Sequence, residues 1–131
     1  MAKREKPTRL NLWDFDDTLA DSGDVTRELY ELYPDIEQRE WWHGPNVSTH
    51  AALLTPPIEA SWRLMKETEG EHWILTGRVL DAVLAWLEKN VENPVVEEGI
   101  QSGLIDVIST SGRKWKGEAE GTPARKAEFI A

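Results

Sequence analysis

Three carboxylates crowd into one short stretch, LWDFDDTLADS, where Asp14, Asp16 and Asp17 close an apolar run at residues 10–15. Leu10, Leu12, Trp13 and Phe15 suit a short buried strand. On extended chain Asp14 and Asp16 share one side, about 7 Å apart between Cα atoms. A buried strand that ends in clustered acids is costly unless a cation, a proton or a hydrogen-bond network compensates. That cost makes the stretch a candidate site. The plain alternative is a strand exit whose acids face water.

A second group lies in ILTGR. Thr76 offers a hydroxyl, Gly77 lets the backbone approach closely, and a helix start behind them completes an anion cradle. Arg78 in the first turn of that helix opposes the helix dipole unless a phosphate or a site carboxylate lies near it. The plain alternative is a turn with Thr76 as N-cap.

The elements that must position these groups follow from periodicity and punctuation. Val25, Leu29, Leu32 and Tyr33 predict an amphipathic helix capped by Ser22 or Asp24 and stopped before Pro34. Residues 34–57 lose periodicity and carry WWHGPNVSTH, which predicts irregular structure near the mouth of the site, or a loop pinned by its two Trp. Residues 57–68 predict a helix with Pro57 in its first turn, a face of Ile58, Trp62 and Met65, and Gly70 as cap. HWILT (residues 72–76) is a second short strand, residues 78–90 a broad-faced helix, and LIDVIS (Leu104–Ser109) a third strand. Val95 and Val96 are too brief to classify. A polar, Gly-rich loop follows the third strand, and residues 122–131 read as a terminal helix with Pro123 in its first turn. Alternating strands and helices imply right-handed crossovers and a parallel sheet covered on both faces, with the site at the carboxyl ends of its strands near the switch in strand order.

Composition bounds the function classes. The 131 residues, seven Trp among them, suit one folded domain, with residues 1–9 as a basic, solvated arm. No segment approaches a membrane span, and MAKREKPTR lacks the apolar core of an export signal. The absence of Cys excludes disulfides and thiolate metal sites and fits a cytoplasmic protein. A net charge of −9 disfavours non-specific nucleic-acid binding. A metal site from His43, His50 and His72 is disfavoured by irregular spacing across three elements.

The run LNLW followed by Asp-x-Asp-x-Thr-Leu resembles motif I of the haloacid dehalogenase-like superfamily of phosphotransfer enzymes. The resemblance implies Asp14 as nucleophile, Asp16 as general acid/base, both as Mg²⁺ ligands, and Asp17 and Thr18 in support of the turn. ILTGR is similar to motif II, in which Thr76, with Gly77 and Arg78, would bind the transferring phosphoryl. TPARKAEFIA offers Lys126 at the place of motif III, with Arg125 next to it. The WW pair, LTGR, LIDVIS and Thr-Pro-x-x-Lys-x-x-Phe-Ile look most like the Swiss Army Knife RNA repair-like group, with polynucleotide phosphatases as looser relatives.

The fold implied is a small Rossmann-like α/β/α domain over residues 1–131, with a short, mainly parallel sheet. It would carry a cap-like helical or irregular insert at about residues 20–70. The function implied is a Mg²⁺-dependent phosphatase that hydrolyses a phosphomonoester through an aspartyl-phosphate. Its substrate would be a nucleic-acid end, a nucleotide or a small phosphoester. The sequence departs from the family at motif IV, since no acidic pair follows Lys126. Glu97, Glu98 and Asp106 lie upstream, out of order. This departure implies a minimal enzyme, a second copy or partner chain that completes the site, or a catalytically incomplete binding module. For the module, Trp41, Trp42 and Trp115 would form the contact surface.

Overall fold

Three apolar runs pair as parallel strands: β1 (Leu10–Trp13), β2 (Glu71–Thr76) and β3 (Leu104–Ser109), in the order β1-β2-β3. The structure, a computed structural model, describes residues 9–111. Lys126, Arg125, Trp115 and the helix expected at 122–131 lie outside the described residues. Trp13 stands opposite Ile74, and Ile74 opposite Val107, so the carboxyl ends of all three strands share one edge. The order runs in one direction among the described strands, so the expected switch in strand order is absent there. β1 is shorter than the apolar run from which it was read and less covered. Leu10 and Leu12 are 47% and 40% exposed.

Among the described residues six helices connect and flank these strands: α1 (Ser22–Leu32), α2 (Glu40–His43), α3 (Pro45–Leu53), α4 (Glu59–Glu67), α5 (Leu80–Asn90) and α6 (Pro94–Gln101). The result is a small α/β fold. Two departures from expectation have identifiable causes. Residues 34–57 are largely helical rather than irregular, because Pro45 starts α3 at a position where its missing N–H costs nothing. α6 lies where the sequence predicts no element. Its signal was the pair Asn93–Pro94: the Asn93 side chain accepts a hydrogen bond from the Val95 N–H at 2.9 Å, and Pro94 opens the first turn. Gly99 obscured the helix in sequence, yet in three dimensions it lets α6 approach Trp62 on α4.

The expected caps of α1 are also replaced. Neither Ser22 nor Asp24 serves; the Asp17 carboxylate accepts from the Gly23 N–H in the first turn at 2.7 Å. α4 begins after Pro57 and ends at Glu67, so Pro57 and Gly70 fall outside it. Gly70 instead takes φ +109° where the chain turns into β2. There a Cβ would stand 2.2 Å from the Arg9 carbonyl oxygen.

One core joins Phe15, Leu19, Ile74, Trp62, Met65, Val83, Trp86 and Val96. A smaller cluster of Leu29, Trp41 and Ala51 holds α1, α2 and α3 together. The segment carrying that cluster leaves the body at Ala20 and returns at Pro57, where the two backbones bridge antiparallel. Asp21 N–H donates to the Pro56 carbonyl and Ile58 N–H to the Leu19 carbonyl, each at 2.9 Å. The insert is therefore narrower than the expected 20–70. α4 belongs to the body, because Trp62 and Met65 are fully buried in the main core.

Candidate functional site

The site grows from the turn that follows β1. Backbone N–H groups of Thr18, Leu19 and Ala20 all converge on the Phe15 carbonyl, and Asp17 N–H donates to the Ala20 carbonyl at 2.7 Å. Asp17 sits at φ 60°, a left-handed conformation that Asp adopts more readily than most residues. The turn buries Phe15 and Leu19 completely and leaves the acids around its rim. Asp14 is exposed, and its Oδ1 accepts from the Phe15 N–H at 2.9 Å. Asp16 is half-buried and Thr18 is half-buried beside it. Because β1 ends at Trp13, both Asp14 and Asp16 lie in the exit loop rather than on extended strand.

The TGR loop comes to the same edge from β2. Thr76 is fully buried, and its Oγ1 accepts from the Arg78 N–H at 3.0 Å. That leaves the hydroxyl proton of Thr76 for another acceptor. Its carbonyl accepts from the Thr110 N–H at 2.9 Å, which ties the end of β2 to the end of β3. Gly77 is half-buried. Arg78 precedes α5, which starts at Leu80, so its charge does not sit in the first turn of the helix.

Arg78 has the densest set of polar contacts at this edge. Its guanidinium is 0% exposed. Nη1 donates to Asp16 Oδ1 at 2.7 Å, Nε to Ser48 Oγ at 2.7 Å, and Nη2 to the Ser48 carbonyl at 3.0 Å. The guanidinium carbon stands 5.1 Å from the Trp42 ring centroid, a cation–π contact. The Arg78 carbonyl accepts from Ser109 Oγ at 2.7 Å. A site carboxylate, the second of the two partners that sequence allowed for Arg78, thus resolves the question of its charge. Among the described residues its partners are protein groups rather than an open surface where an anion could dock.

Nothing in the sequence singles out Ser48 or Ser109. Ser48 lies on a helix where none was expected, and a lone Ser carries no sequence signal. Trp42, expected as part of a contact surface, lies against the Arg78 guanidinium, and its Nε1 donates to Tyr30 Oη at 2.6 Å. Trp41 is 1% exposed, so it does not form the open contact surface expected of a binding module, and Trp42 is half-buried.

For a metal ion the donor set is small. Among the described residues, no group of three or more His, Cys, Asp or Glu side chains is close enough to hold one. Asp14 and Asp16 are hard oxygen donors on the same turn. Mg²⁺ is commonly held by one or two carboxylates with water in the remaining positions, so these two residues fit it. The three His stay apart: His72 is fully buried and accepts from Trp13 Nε1 through Nδ1 at 3.0 Å, His43 Nδ1 lies 2.7 Å from Ser111 Oγ, and His50 is exposed.

Comparison of the chain with protein-family models, with curated proteins and with solved structures returned no match. Among the described residues no helix is long and apolar enough to cross a membrane.

Proposed function

We propose that this chain is a phosphatase that works through an aspartyl-phosphate, with Mg²⁺ as cofactor and a phosphomonoester as substrate. One observation carries the reading most directly. The acid-bearing turn and the Thr76–Gly77–Arg78 loop meet at one sheet edge, bonded through Asp16 and Arg78. A nucleophile and an acid/base beside an anion-binding loop is the arrangement that phosphoryl transfer requires.

In this reading an Asp14 carboxylate oxygen attacks phosphorus in line. The Asp14 O–P bond forms as the bond to the leaving oxygen breaks. Asp16 donates its proton to that oxygen. Asp16 then takes a proton from water as the water attacks phosphorus, and the Asp14 O–P bond breaks to release phosphate. The Thr76 hydroxyl proton and Lys126 would meet the phosphoryl oxygens. Mg²⁺, when held by Asp14 and Asp16, supplies positive charge against the transferring group. Phosphorylated small molecules and nucleic-acid ends are the substrate classes, and the cytoplasm is the compartment proposed.

The test needs no knowledge of the substrate. Beryllium fluoride with Mg²⁺ mimics an aspartyl-phosphate, and a ligand that binds the folded state raises the melting temperature. The expected result is a rise in the wild type that is absent in Asp14→Asn. Undiminished turnover by a purified Asp14→Asn protein would sink the mechanism. No rise in the wild type would favour the rival reading, a binding module or a site completed by a partner.

A further inference from the structure

Arg78 was expected to bind phosphate, yet its guanidinium is fully buried and bonded to protein groups. A buried cation with this many directed bonds has one orientation, because each bond fixes another degree of freedom of a planar fork. Its acceptors come from two separate parts of the chain. Asp16 belongs to the turn after β1, and Ser48 to α3 in the insert. Trp42 covers the guanidinium, and the Val79 N–H donates to the Trp42 carbonyl at 2.8 Å, so the loop and the insert are joined on both sides of Arg78.

We propose that Arg78 is a positioning residue. It holds Asp16 in the orientation that proton transfer needs and fixes the insert to the site as a rigid wall. With Oδ1 held by Nη1, the Asp16 carboxylate has a fixed orientation at the site. The phosphoryl group is then bound by other residues, and Arg78 acts on catalysis only through Asp16. Ser48 is part of the same device, since it accepts from both Nε and Nη2. This role rests on the phosphatase reading above.

Leaving-group dependence separates this role from phosphate binding. A p-nitrophenolate departs without a proton, whereas the alkoxide of glycerol phosphate needs one from Asp16. Steady-state kcat and KM would be measured on both substrates for wild type, Arg78→Lys and Ser48→Ala, with circular dichroism to check folding. In Arg78→Lys, kcat/KM on glycerol phosphate is expected to fall about 10- to 100-fold, with a fall of under about threefold on p-nitrophenyl phosphate, whose kcat and KM fall together because the water step still needs Asp16. Ser48→Ala should show the same selectivity at smaller size, and it decides alone if Arg78→Lys does not fold. Equal losses of kcat/KM on both substrates, or a raised KM with kcat intact, would overturn the role and return Arg78 to phosphate binding. A wild type that turns over neither substrate would instead overturn the phosphatase reading, and this role with it.

Discussion

Trp62 on α4 and Trp86 on α5 stack with their planes 15° apart and ring centroids 5.8 Å apart, both fully buried. Each indole N–H donates to a backbone carbonyl at one end of the insert: Trp62 to Leu19 at 3.0 Å and Trp86 to Thr55 at 2.9 Å. The pair therefore fills the core and also holds both ends of the insert against the body.

Replacing one indole tests both contributions. Trp86→Phe keeps much of the ring but strands the Thr55 carbonyl, which should cost about 1–3 kcal/mol. Trp86→Ala also opens a cavity and should cost about 3–5 kcal/mol. Urea unfolding measures both. No cost in Trp86→Phe would mean that the hydrogen bond contributes nothing, and equal costs for the two variants would mean the same of the ring packing.

α6 packs on α4 at Gly99, where an added Cβ would stand 2.8 Å from Trp62 Cε3 and 3.0 Å from its carbonyl oxygen. Gly99→Ala should raise helix propensity yet still destabilise the protein by about 1–3 kcal/mol, because overpacking outweighs propensity. A gain in stability would show that the two helices can separate at no cost.

Thr76→Val leaves the shape of the β2 end nearly intact and removes the acceptor of the buried Arg78 N–H. A loss of about 1–3 kcal/mol is expected from chemical denaturation. The phosphatase reading adds a kinetic effect, since the same hydroxyl would donate to the phosphoryl group. Rescue of both effects in Thr76→Ser would tie them to the hydroxyl rather than to the methyl.

Asp16→Asn removes the group that activates water while Asp14 remains able to attack. With p-nitrophenyl phosphate, which needs no proton on its leaving group, rapid mixing should show a burst of about one equivalent of phenolate before slow turnover. Wild-type rates without a burst would remove Asp16 from the mechanism.

Much of the framework was legible because local patterns carried it. The strands HWILT and LIDVIS and the helices holding Trp62 and Trp86 announced themselves by apolar periodicity, and parallel pairing followed from their alternation. The spacing of Asp14, Asp16 and Thr76 likewise pointed to one sheet edge before any contact was known.

What sequence left open turned on contacts between distant residues. Arg78 and Asp16 are 62 positions apart, and Arg78 and Ser48 are 30 apart. No periodicity encodes such a pairing, so an arginine beside an anion-binding loop looked like a phosphate ligand until its neighbours were in place. The insert hid for a related reason. α2 and α3 are short, and their stability comes from packing around Trp41 and Ala51 more than from helix propensity. Residue types and their order determined the elements and the edge where the acids gather. Tertiary structure alone decided which charges meet, because the desolvation that makes a buried guanidinium seek a carboxylate exists only once the core has closed over it.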